Sequence, residues 1–308
     1  MADSLYYSDR LKAVESLENP SLEQLFPFLG DQDPSVIVTA LNKLPKQQTP
    51  LLVEPLNELA NNVNPSIRCV VSTLVSSTLP HKDAIDLINK LLKDDSSDVK
   101  ITSLTAAQTL LDSCKLEDYF SLVSSIISLT NDPEWRVRSF VQLLLPEIVS
   151  FIGADLAQKV IPVIKNGLKD SCLEVRRQAV LSMADMVKMF GSDWGRTYII
   201  PIISLYYTHP NYKIRQSTIA AMVEVGCVMG KDSFSTAFLP MILNLAFDST
   251  SNVRLTILQQ LGVLIQRNIL DQGTVNSRIA PCVETLLKDK DSDVVMMANN
   301  LKPLLHPE

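Results

Sequence analysis

Few residues in this sequence have the types and spacing that a reaction needs. The three histidines, His81, His209 and His306, are widely separated, and no H-E-x-x-H, G-x-S-x-G or Gly-rich phosphate loop is present. The five cysteines, Cys69, Cys114, Cys172, Cys227 and Cys282, are far apart in the chain, with no C-x-x-C. That set is odd in number and fits neither a zinc site nor a disulfide framework, so the thiols read as reduced residues of apolar helices. Carboxylate pairs such as Asp94-Asp95 and Asp289/Asp291 read as turn caps, not as a general acid and base. No catalytic residue, metal site or cofactor is expected. The residues that stand out suit recognition. Trp135, Leu173 and Tyr212 are large side chains at nearly equal intervals, with Arg136, Glu174 and Lys213 beside them. An exposed line of Trp, Tyr and Arg is the composition of a protein-binding hot spot.

The spacing of those residues belongs to a repeat. With Val137 as an anchor, equivalent positions are Val36, Ile67, Val99, Val175, Ile214, Val253 and Val294. Five residues before each anchor stand Asp31, Asn62, Asp94, Asp132, Asp170, His209, Asp248 and Asp289. One residue after it stand Ile37, Arg68, Lys100, Arg138, Arg176, Arg215, Arg254 and Val295. A register that keeps Asp in six copies and a base in six is the mark of a repeat array.

Each repeat reads as two helices, A then B. In the fourth, Val137, Phe140, Val141, Leu144 and Ile148 follow one helical face. The Asp ends helix A and accepts backbone N–H groups in the turn. The base reaches the Asp of the next repeat, so the array is pinned by charge-assisted hydrogen bonds. Asp94, Asp132, Asp170, Asp248 and Asp289 with Arg138, Arg176, Arg215 and Arg254 form this structural ladder. Pro162, Pro201, Pro240 and Pro281 share one register ahead of their anchors, inside helix A, and are expected to kink it. Trp135, Leu173 and Tyr212 fall two residues before their anchors, in the expected turn between A and B.

Residues 1–19 hold a cap helix, amphipathic over 4–19, with Leu11, Val14 and Leu17 on one side. Repeats follow at about 20–48, 49–79, 80–115, 116–153, 154–191, 192–230, 231–270 and 271–308. Those in 20–115 are short and irregular, those in 116–308 regular, and 1–308 reads as a single solenoid. Pro303 and Pro307 are expected to end the last helix.

Composition agrees with helices. Hydrophobic residues are 46%, aromatics 6% and glycines nine, too few for a strand-rich fold. The net charge of −6 divides into −8 over 1–150 and +2 over 151–308, with no basic stripe for nucleic acid. The longest uncharged run, from Thr197 to Tyr212, contains Pro201 and Pro210 and is short of a membrane span. The N-terminus lacks the pattern of a signal peptide. The sequence reads as soluble, of the cytoplasm and also the nucleus, with no nucleic-acid or membrane partner.

A period near 39 with this ladder and a helix-A proline resembles HEAT repeats. The expected fold is an all-α HEAT-repeat solenoid, an α-α superhelix of about eight helical hairpins with an N-terminal cap helix. The second half further resembles the A-type scaffold family, the regulatory scaffolds of the type 2A serine/threonine protein phosphatases. The matching runs are Asp132-Pro-Glu-Trp-Arg-Val-Arg138, Gly191-Ser-Asp-Trp194 with Ile199-Ile-Pro201, Pro210-Asn-Tyr212, Asp248 with Asn252-Val-Arg254, and Asp289-Lys-Asp-Ser-Asp-Val294. Their order over 131–308 is that of the family's last five repeats, and 20–115 is similar only in general pattern. The array holds about half the familiar number of repeats, and His209 stands where the family has Asp.

The resemblance implies a non-catalytic scaffold that holds a phosphatase catalytic subunit on the intra-repeat turns of its C-terminal repeats. It implies contacts by Trp135, Arg136, Tyr212, Asn252 and Asp293, and Leu173 joins them by position. It also implies a regulatory subunit on the N-terminal repeats. The alternative is a transport or assembly adaptor that binds a peptide or protein on its concave face.

Overall fold

The computed structural model describes residues 6–113 and 116–305. Cys114 and His306 lie outside them, as does Pro307. Among the described residues every regular element is a helix or helical turn. The chain divides into two compact units, Met1–Val141 and Gln142–Glu308, and the helix Trp135–Ile152 carries the boundary.

The first unit opens with the cap helix Tyr7–Glu15, which buries Ala13 and Val14. Helical hairpins follow: Leu22–Leu29 with Pro34–Asn42, Val53–Leu59 with Pro65–Thr78, and His81–Leu91 with Ser97–Leu111. Helix Leu116–Ser128 packs beside His81–Leu91 and is the A helix of the fourth repeat. In the second unit the B helices Leu173–Phe190, Tyr212–Met229, Ser251–Gln266 and Ser292–Leu305 pack in sequence order, each beside the next. All eight anchors, from Val36 to Val294, are buried. Within each unit, burial of that apolar stripe holds hairpin to neighbouring hairpin, since one hairpin cannot bury its own apolar face.

The A helices of the second unit differ from the expected single kinked helix. Each is built of two or three consecutive segments, and the proline is the second residue of the last: Ile161–Leu168, Ile200–Tyr206, Leu239–Leu245 and Ala280–Leu286. Proline brings no N–H and its ring crowds the carbonyl four residues back. The chain therefore restarts its helix at the proline, and in two repeats the preceding turn widens to the π form, Gly195–Ile199 and Val275–Ile279. Pro303 departs from expectation in the other direction. It lies inside Ser292–Leu305 and does not end it.

Chain reversal from B back to A uses glycine where the backbone demands it. Gly153, Gly191 and Gly230, at one register after their anchors, have φ of 77°, 87° and 91°. Side chains are disfavoured there and glycine is not. The N–H of Gly191 closes the helix by donating to the Val187 carbonyl at 2.8 Å.

Candidate partner-binding surface

The turn between A and B is built the same way in all eight repeats. The side chain five residues before the anchor accepts the N–H two residues on, at 2.8–3.0 Å, from Asp31 to Asp289. His209 does this through Nδ1. These side chains fix the turn and do not cap helix B. The helix cap is the residue just before its first turn: Asp33, Asn64 and Asn211 accept from Ser35, Ser66 and Lys213.

The base after the anchor ties its own turn to the next repeat. Nη1 of Arg68, Arg138, Arg176, Arg215 and Arg254 donates to the carbonyl of its own turn residue at 2.7–2.8 Å. The remaining donors reach across. Arg68 grips both oxygens of Asp94, Arg215 those of Asp248 and Arg254 those of Asp289, all at 2.7 Å. Lys100 meets Asp132 at 2.7 Å through one nitrogen. Arg10 of the cap helix grips Asp31 at 2.6 and 2.9 Å, a link that no repeat spacing marks in the sequence. The pairs are largely buried, with side chains 4–15% exposed. The Arg254 guanidinium holds the Asp289 carboxyl below its ordinary range, and Arg10 does the same for Asp31. At Asp248 and Asp94 burial pushes the carboxyl up, and the guanidinium and turn N–H bonds outweigh it.

Arg176 breaks this pattern. The sequence pairs it with an Asp, but the residue 33 positions on is His209, where Arg215 has Asp248. A ring nitrogen can accept the turn N–H but cannot supply a carboxylate. Arg176 Nε turns instead to Ser217 Oγ at 2.9 Å, and His209 lies edge-on near Tyr206, ring centres 6.1 Å apart. Arg176 is buried, and burial pushes its guanidinium below the ordinary value.

Every residue two before an anchor is the first residue of its B helix: Pro34, Pro65, Ser97, Trp135, Leu173, Tyr212, Ser251 and Ser292. They are helical, not turn, residues, because the Asp-centred turn is complete by the residue before them. In the first unit Trp135 is 41% exposed. Arg136 beside it is half-exposed, 3.3 Å from Glu134 and 3.6 Å from Asp98. In the second unit Leu173 is 65% exposed. Tyr212 is half-buried, and Asn252 and Asp293 are exposed. The Asn252 carbonyl accepts from Gln216 Nε2 at 3.1 Å. Trp194, in another run of the family resemblance, is buried between Phe190 and Tyr198 and packs the core.

Among the described residues no group of His, Cys, Asp and Glu could hold a metal ion. No helix there is long and apolar enough to cross a membrane. Cys282 is buried, and burial pushes its thiol up to about 11.

A family model described as PIK3R4-like, middle domain, matches residues 73–274. The chain belongs to that family. No curated protein matches the sequence. Among solved structures, Kap95p with RanGDP matches with a TM-score of 0.71 at 14% identity, over 97% of this chain and 44% of that one. The karyopherin Kap121p bound to Ste12p gives 0.65 at 15% identity, over 97% and 35%. Kap121p bound to Pho4p gives 0.60 at 15%, over 97% and 39%. The chain therefore spans under half the length of these proteins. At such identity the likeness shows the fold alone, an all-α HEAT-repeat solenoid.

Proposed function

We propose that this chain is a non-catalytic scaffold that binds a serine/threonine protein phosphatase catalytic subunit through the first helical residues of its C-terminal B helices. The observation that carries this reading is the exposure of Trp135 and Leu173. Each is a large apolar side chain at the start of a B helix, held outward by a turn that the ladder makes rigid. The equivalent residues Pro34, Pro65, Ser97, Ser251 and Ser292 are serine or proline. A rigid aromatic beside an arginine is how interface energy is concentrated. The ordered runs from Asp132 to Val294, which resemble the A-type scaffold family, support that partner class. A regulatory subunit on the repeats of 20–115 would complete the assembly. Co-purification tests the reading. The tagged chain drawn from cell extract should bring a phosphatase catalytic chain and okadaic-acid-sensitive activity, and recovery of transport cargo without phosphatase would reject it.

The second reading is an adaptor for a peptide or protein held on the helical faces. Its support is the family fold, shared with Kap121p bound to Ste12p and to Pho4p, together with a cavity on the B helices of repeats five to seven.

A further inference from the structure

The gap in the ladder at Arg176 opens onto a cavity of about 420 Å³ among three B helices of the second unit. Arg176, Arg177 and Lys213 supply cationic groups to its lining, and Leu173, Val180 and Leu181 supply apolar ones. Arg176 is only 4% exposed. Its Nη1 is held by the Asp170 and Ser171 carbonyls and its Nε by Ser217 Oγ. In Arg215 and Arg254 the Nη2 group grips the next Asp at 2.7 Å. In Arg176 that donor has no partner among the described residues, and no carboxylate of those residues lies within ion-pair distance. The other charges in the lining do not supply one. Glu224 is paired with Arg267 at 3.1 Å, and Glu174, outside the lining, is an exposed contact of Arg177 at 3.1 Å. A buried guanidinium fixed on two sides, with its third side open and apolar walls adjoining, is preorganised for a carboxylate carried beside an apolar side chain.

We propose that this cavity binds an acidic peptide segment of a partner protein, one Asp or Glu carboxylate seating on Arg176 as the missing ladder Asp would. The site deepens the adaptor reading; Leu173 is shared with the phosphatase surface, but the decisive residues here are Arg176 and His209, which that surface does not use. Replacement of the turn Asp by His209 keeps the turn N–H bond and releases the arginine for a ligand.

The test uses the full chain and a fluorescein-labelled short peptide of Leu, Glu and Ala, read by anisotropy. Its Gln counterpart should bind at least ten-fold more weakly, and binding of the acidic peptide should weaken with added salt. His209→Asp is the decisive variant. It should raise the thermal midpoint, because Arg176 regains the pairing seen at Arg215, and weaken the peptide at least ten-fold by occupying its seat. Arg176→Gln, checked for helicity by circular dichroism, should weaken it similarly. Absence of acidic-peptide binding, equal binding of the Gln peptide, or unchanged binding by His209→Asp would each overturn the proposal. A phosphoserine peptide that binds ten-fold tighter than the acidic one would overturn the carboxylate assignment in favour of phosphate.

Discussion

At the residue scale, the arginine after each anchor is one side chain with two contrasting roles. Arg215 pairs directly with the largely buried Asp248 carboxylate, whereas Arg176 is in direct contact with none. Arg215→Met therefore strands a buried carboxylate, and Arg176→Met strands only carbonyls and a serine. Breaking a buried ion pair from one side costs about 3 kcal/mol or more. Urea titration should show Arg215→Met losing that much and Arg176→Met clearly less; equal losses would mean that the carboxylate is not what Arg215 serves. The same pairs set the acid response. Asp31, Asp94, Asp248 and Asp289 have folded pKa values below the unfolded ones. Their stabilisation is fully present above the unfolded Asp value near ~4 and is lost as pH falls through the folded values. The denaturation midpoint should stay level from neutral pH to about pH 5 and drop below about pH 4. Arg254→Met, which releases Asp289, should shallow that drop.

At the element scale, periodicity makes the helical pairs legible, because buried anchors such as Val137 and Ile67 recur with apolar residues three and four positions on. The 33- to 35-residue steps from Arg215 to Asp248 and from Arg254 to Asp289 likewise mark pairs that form. Other features were hidden for physical reasons. Whether Pro201 kinks a helix or splits it depends on the widened turn before it, which has no residue signature. The repeat pattern places Trp135 and Leu173 in the turn, because bulky apolar residues carry no signal of a helix start, whereas the structure begins helix B at them. The link from Arg10 to Asp31 joins a cap outside the repeat, and the cavity at Arg176 needs three helices side by side. The glycines at B-helix ends give this scale its prediction. Gly191→Ala forces a side chain into positive φ and should cost about 1 kcal/mol. Gly30→Ala, where φ is −93° and an added Cβ would meet nothing within 4 Å, should cost less than half of that. Matching thermal midpoints for the two would refute the conformational argument.

At the scale of the whole molecule, the PIK3R4-like family match and the karyopherin likeness agree on a helical-repeat fold. The proposed function turns on which partner meets the starts of the B helices. Trp135 and Leu173 expose apolar surface at the same register of two B helices. The most direct measurement titrates the full chain into a purified type 2A catalytic subunit, with circular dichroism on each variant. Trp135→Ala should weaken binding by about 2 kcal/mol or more, as truncation of a hot-spot residue does. Leu173→Ala should weaken it by a smaller amount. Ser97→Ala, at the same register in the third repeat, should leave it unchanged, and all three should keep wild-type helicity. Equal binding by Trp135→Ala and Ser97→Ala, or loss of helicity in Trp135→Ala, would contradict the account.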